Sequence, residues 1–295
     1  MSAGPKLAGF AVVLAALFGG GALAGGLIDP DAEGSAPSAA TEEAGHGHAS
    51  SATAEDETTT PADADEAPEV HGLAVADAGL RVEVETPELR RGREETVRFR
   101  IVGDDGRTVR DFDVTHEKRM HLIVVRRDLT GFQHLHPQMA ADGTWSAPAE
   151  LADAGSYRLF ADFSHEGEAV TLASDLRVDG PADLQALPAP EPTATSDGGY
   201  DVRLDADAPR AGVETELRFS ITRDGEPVRT EPYLGAGGHL VALREGDLAF
   251  LHVHPADDGV AFGATFPSEG RYRLFLQFQH EGRVQTVAFT QEVGR

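Results

Sequence analysis

The chain carries one segment twice, and that duplication constrains its fold more than any other feature. Tyr157-Arg158-Leu159-Phe160 recurs unchanged as Tyr272-Arg273-Leu274-Phe275. Phe163-Ser164-His165-Glu166-Gly167 is answered by Phe278-Gln279-His280-Glu281-Gly282, and Phe132 by Phe250. One module is therefore used twice. Within each copy the pattern is that of strands. Leu80–Val84 and Thr96–Val102 alternate apolar and polar residues, as do Tyr200–Leu204 and Thr215–Ile221, the period of a half-buried strand. Further runs at Leu122–Val125, Phe132–His136, Tyr157–Phe163 and Val170–Val178 are separated by turn signals such as Asp104-Asp105-Gly106, Asp142-Gly143 and Asp224-Gly225. Short strands over about 100 residues predict an all-β Greek-key sandwich for each module. Asp153-Ala154-Gly155-Ser156-Tyr157 and Ser268-Glu269-Gly270-Arg271-Tyr272 have the form of the tyrosine corner of immunoglobulin-like sandwiches, which gives Tyr157 and Tyr272 structural roles.

Composition shifts set the domain boundaries. Residues 1–28 hold Lys6 and the apolar stretch Leu7–Ile28, a secretory signal peptide or an uncleaved signal-anchor helix. Residues 29–77 read as a disordered acidic tether. Asp31–Val70 has eleven acidic residues and no Lys, Arg or aromatic residue, too little apolar surface to offset the entropy of ordering. Module one spans 78–179, a Pro-rich linker 180–197, and module two 198–295. The bulk of the chain is expected outside the cytoplasm, secreted or anchored in the cell membrane.

Histidine placement is the strongest chemical signal. His121, His134, His136 and His165 form one set; His239, His252, His254 and His280 form another. The first interval is 13 in both sets (134 − 121 and 252 − 239), the second is two, and the last is 29 or 26. Neutral imidazole is the commonest metal ligand among side chains, and residues i and i+2 of a strand share a face. His121 begins one strand and His165 ends its antiparallel neighbour. A hairpin centred near Leu129 sets His136 opposite Leu122, so His121, His136 and His165 should converge at one end of the module, with His134 deeper. Each module would then hold an ion. Copper is the expected metal and zinc the alternative. Met120, Met139 and His116 occur in module one only and are candidate extra ligands; thioether sulfur favours copper(I). The competing explanation is that the histidines are structural or respond to pH.

The remaining composition removes other classes. A net charge of −25 argues against nucleic acid as a partner and raises the local cation concentration. With no cysteine, disulfides, thiolate sites and cysteine nucleophiles are excluded. No nucleophile elbow, phosphate loop or His-Glu-x-x-His helix is present, so no enzymatic activity is expected.

Lys118–Val125, followed by Phe132-Gln133-His134-Leu135-His136-Pro137, resembles secreted or membrane-anchored bacterial proteins described as heavy-metal-binding or copper-associated. The resemblance covers module one well and module two in weaker form. It implies a cupredoxin-like or immunoglobulin-like sandwich and a role near copper handling. The resulting expectation is an extracytoplasmic protein that buffers or delivers copper, with a copper transporter or envelope protein as partner. The alternative is a membrane-tethered tandem interaction module.

Overall fold

The computed structural model describes residues 70–251, 253–256 and 259–295, the side chain of His254 excepted. The expected signal or anchor segment, the tether up to residue 69, and His252 lie outside the described residues. Among those described, no helix is long and apolar enough to cross a membrane.

Module one contains β1 (Ala76–Asp77), β2 (Leu80–Val84), β3 (Glu88–Leu89), β4 (Glu94–Gly103) and β5 (His121–Arg126). It continues with β6 (Gln133–Leu135), β7 (Gln138–Met139), β8 (Trp145–Glu150), β9 (Gly155–His165) and β10 (Glu168–Val178). One sheet has the order β1-β2-β4-β8-β7 and the other β3-β10-β9-β5-β6. Assigning β2, β4, β8 and β7 as strands A, B, E and D leaves β10, β9, β5 and β6 as G, F, C and C′, the immunoglobulin order. Module two contains β11 (Thr193–Thr195), β12 (Asp201–Asp205), β13 (Glu214–Arg223), β14 (Glu226–Pro227) and β15 (His239–Arg244). Then follow β16 (Phe250–Leu251), β17 (His254–Pro255), β18 (Ala261–Thr265), β19 (Gly270–His280) and β20 (Arg283–Val293). Its sheets, β11-β12-β13-β18-β17 and β16-β15-β19-β20, repeat the same order. Both tyrosine corners form: Tyr157 Oη donates to the Asp153 carbonyl (2.8 Å) and Tyr272 Oη to the Ser268 carbonyl (3.0 Å).

Alternation builds each core. Val97, Phe99 and Ile101 point from β4 onto Leu122, Val124, Leu159 and Leu172, with Trp145 closing one side. Leu217, Phe219 and Ile221 do the same in module two against Leu240, Leu274 and Val287. Strand β5 breaks the alternation, since all six of its residues are buried. Its second face is covered by the other module. Ile123 pairs with Phe160, which pairs with Ala173; the counterparts Val241, Phe275 and Ala288 are aligned the same way. These outward faces meet in a third apolar cluster that also contains Val125, Leu243 and Phe250. Phe132 stacks on Phe275 (centroids 4.1 Å apart, planes 7° apart), and Phe160 packs on Phe250 at 5.5 Å.

Two expected boundaries shift because of this seam. The sequence predicts a tether up to residue 77, yet residues 71–73 bond at the joint and Ala76–Asp77 pair with β2. The His71 carbonyl accepts from Phe250 N, and Arg158 Nη2 donates to the carbonyls of Gly72 and Leu73. The sequence predicts a linker over 180–197, yet β11 pairs with β12 inside module two and Leu187 is buried in the seam. In both places a few apolar or backbone groups find partners that local composition does not reveal.

Gly72 has a φ of 70°, and a Cβ there would sit 2.7 Å from Phe250 Cβ and 2.9 Å from Phe160 Cδ1. Gly92 has a similar φ of 66° and nothing within 4 Å. Gly72→Ala should therefore cost about 2–3 kcal/mol, strain plus overlap, against about 1 kcal/mol for Gly92→Ala. Urea denaturation of the two variants checks this; equal losses would refute passage of the chain through the seam.

Candidate metal centre

A hairpin positions the histidines. Asp128 Oδ1 accepts from Thr130 Oγ1 at 2.7 Å, while Leu129 (φ 65°) and Gly131 (φ 61°) take left-handed conformations. Arg126 N bonds the Thr130 carbonyl, but the strand pairs are Val124↔Gln133, Ile123↔His134 and Leu122↔Leu135. The returning strand therefore carries one extra residue, a β-bulge. The expected pairing about Leu129 sets His136 opposite Leu122; the turn is centred on Asp128 instead, and together with the bulge this brings His136 level with His121. His121, His134 and His136 now share the seam face, and Leu135 packs into the module core.

The three rings form a tight group. Their ligating nitrogens all lie within 4.8 Å of one another. His121 and His134 have centroids 5.2 Å apart, His121 and His136 5.2 Å, and His134 and His136 4.8 Å. Module two adds His239, 4.8 Å from His134 and stacked on His121 at 5.6 Å. His116, in a turn with a φ of 49°, lies 6.2 Å from His121 and 6.0 Å from His239.

Hydrogen-bond partners fix the ring orientations. His134 Nδ1 is 2.7 Å from Gln277 Oε1, and the Gln277 amide nitrogen donates to Thr286 Oγ1. His121 Nε2 is 3.2 Å from the Thr115 carbonyl. With the Gln277 oxygen toward His134, both outer partners accept and each ring places its proton there. In that tautomer pair His121 Nδ1 faces His134 Nε2 at 3.0 Å, lone pair to lone pair. His136 Nε2 is buried with no hydrogen-bond partner among the described residues. Lone pairs turned inward, with N–H groups anchored outward on carbonyls, are the arrangement of metal-ligating histidines. Burial, reinforced by the neighbouring imidazoles, holds His134 down to about 3 and His136 to about 4. It lowers His121 and His239 as well, so the group is neutral and ligand-competent at pH 7.

The other expected ligands lie elsewhere. His121 pairs with Asp162; His165, three positions along β9, faces the opposite way. Its Nδ1 contacts the Asp111 carbonyl at 3.0 Å, and its ring meets Phe112. His280, its counterpart, lies 2.8 Å from Tyr200 Oη. Met120 is buried in the module-one core, and Met139 packs against that core. The β17 backbone places His254 next to Gly263 on β18. Glu166 and Glu281 form two-residue turns with their following glycines, all at positive φ. Sequence reasoning missed Gln277 as a partner and missed His239 as a member of the module-one group. A usable signal existed: Gln277 is the counterpart of Asp162, directly opposite the first histidine of its own module.

A family model described as Domain of unknown function (DUF8832) matches residues 74–180 and again 194–295. The chain belongs to the DUF8832 family. Its two copies correspond to the two sandwiches. No curated protein matches the chain. Among solved structures, the Escherichia coli adhesin FdeC is 15% identical, over 75% of this chain and 66% of its own, with a TM-score of 0.27. Salmonella alpha-2-macroglobulin reacted with methylamine is 18% identical over 77% of this chain and 15% of its own, with a TM-score of 0.27. A chimeric titin tandem is 13% identical over 72% of this chain and 96% of its own, with a TM-score of 0.19. Superpositions this loose carry no argument about the DUF8832 tandem.

Burial of neutral imidazoles makes stability depend on pH. The unfolded chain titrates its histidines near 6.5, whereas the folded values are lowered, to about 3 for His134 and about 4 for His136. The unfolded state thus binds more protons as pH falls through this window. The stabilisation is complete above about pH 6.5 and is lost below it, by up to about 1.4 kcal/mol per pH unit for each group. Chelator-treated protein should lose denaturation free energy between pH 7 and 5, above the carboxylate range. A flat profile there would contradict the burial.

Proposed function

We propose that this protein is an extracytoplasmic metal-binding protein whose His121, His134 and His136 hold a late first-row ion, copper first and zinc as the alternative. The observation that carries the reading is the convergence of three imidazoles, with His121 Nδ1 and His134 Nε2 lying 3.0 Å apart and lone pair to lone pair when Gln277 presents its oxygen to His134. An ion bonded to both at about 2 Å relieves that contact. It would also give buried His136 Nε2 a partner. Imidazole donors suit copper, zinc and nickel, and copper(II) binds most tightly in the general order. The role is buffering or delivery, with a copper transporter or another envelope protein as recipient. Leu7–Ile28 supports placement outside the cytoplasm, and the net charge of −25 enriches cations around the protein.

One observation favours a second reading, a tethered tandem interaction module with structural histidines. If the Gln277 amide were turned by 180°, it would donate to His134 Nδ1. Neutral His134 and His121 would then pass single hydrogen bonds to the Thr115 carbonyl with none missing. Gln277→Glu separates the two readings, because a carboxylate only accepts. Under the metal reading this variant retains or tightens copper binding in a competitive chelator titration. Under the structural reading it breaks the relay, lowers stability and gains no affinity for metal.

Thermal melts of the full chain provide a direct check. At a hundredfold excess over Kd, copper or zinc should raise the melting temperature by roughly 5–10 °C. His121→Ala with His134→Ala should abolish the shift, and His165→Ala should leave it intact. Loss of the shift in the His165 variant alone would move the site to the other face of β9.

A further inference from the structure

The trio lies on module one, but module two closes the space it surrounds. His239 begins β15, opposite Gln277, as His121 begins β5, opposite Asp162. Face-to-face packing of the two sheets brings these equivalent positions together, with the rings of His121 and His239 within 8° of parallel. Gln277, also from module two, receives the outer proton of His134. Three imidazoles leave a four-coordinate ion one ligand short. His239 is closer to the trio than His116, with ring separations of 4.8 and 5.6 Å against 6.2 Å. It also sits on a strand rather than in a turn.

We infer that His239 supplies the fourth ligand, so that the ion fastens the two modules together and is released when they separate. This rests on the metal reading above. The apolar seam holds the modules together without an ion; the ion adds a bond across it. Linkage makes the effect reciprocal: the factor by which docking raises metal affinity equals the factor by which the ion favours docking. Any partner that pries the seam open would thereby unload the ion, and loading would resist such a partner.

Zinc and the full chain test this. Phe250 is buried in the seam and its N–H is held by the His71 carbonyl across the joint, so chymotrypsin cleavage after Phe250, resolved by mass spectrometry from cleavage at exposed Leu184, reports on opening of the joint. Zinc should slow that cleavage about tenfold in the wild type. His239→Gln should still bind zinc, more weakly, and lose the protection. His239→Cys, whose thiolate is itself a zinc ligand, should regain it. If His239→Gln keeps wild-type affinity and protection, or if neither variant is protected, His239 is a packing residue and the inference falls while the trio stands. If the wild type binds no zinc in a chelator titration, both the inference and the metal reading fall.

Discussion

Contact between the outward apolar faces of β5-β9-β10 and β15-β19-β20 governs most of what is distinctive in this molecule. A sandwich needs only one buried face per sheet, and here the second face of one sheet in each module is buried as well. That contact removes water from the histidines at its edge and lowers their proton affinity. It also creates the groove that residues 70–74 occupy, with Gly72 where no side chain fits. Without it the rings at 121, 134 and 136 would be ordinary solvated side chains of one domain.

Much of the fold was legible in the sequence because its signals are local. Alternation in Thr96–Val102 and Thr215–Ile221 marks strands with one buried face, and Tyr157 and Tyr272 mark the corner that identifies the sandwich. The convergence of His121 and His136 followed from strand geometry. The partner of His136 did not, since the turn is centred on Asp128 rather than Leu129 and a bulged residue follows Thr130. His165 stays outside the group because it lies three residues beyond Asp162, the wrong parity for the seam face. The seam itself left a readable trace. Leu122–Val125 and Leu240–Leu243 are continuous apolar runs rather than alternating ones, the signature of strands covered on both sides. Taken with the duplication, those runs point to sheets that face each other.

The chemistry of the cluster depends on a contrast of scale. Across the whole chain, fifty acidic residues against twenty-five basic ones attract cations. Within a few ångströms, the imidazoles are neutral, and their outer nitrogens are held by the Thr115 carbonyl and the Gln277 amide oxygen. A neutral, dry and oriented set of donors pays little further desolvation on taking up an ion. Asp162, paired with His121 across the strands, accepts a hydrogen bond from Thr171, so its charge is partly occupied.

The aromatic pairs across the seam carry one more implication. Phe132 of the first copy touches Phe275 of the second, while Phe250 of the second, the counterpart of Phe132, touches Phe160 of the first, the counterpart of Phe275. Exchanged roles of this kind define an isologous contact, in which one surface recognises itself about a twofold axis. The joint therefore has the design of a homodimer interface contained in a single polypeptide. Covalent connection turns an association between two molecules into a local event at high effective concentration. A self-recognising surface too weak to hold separate molecules together at cellular dilution can in this form remain closed, and can still be opened by modest force.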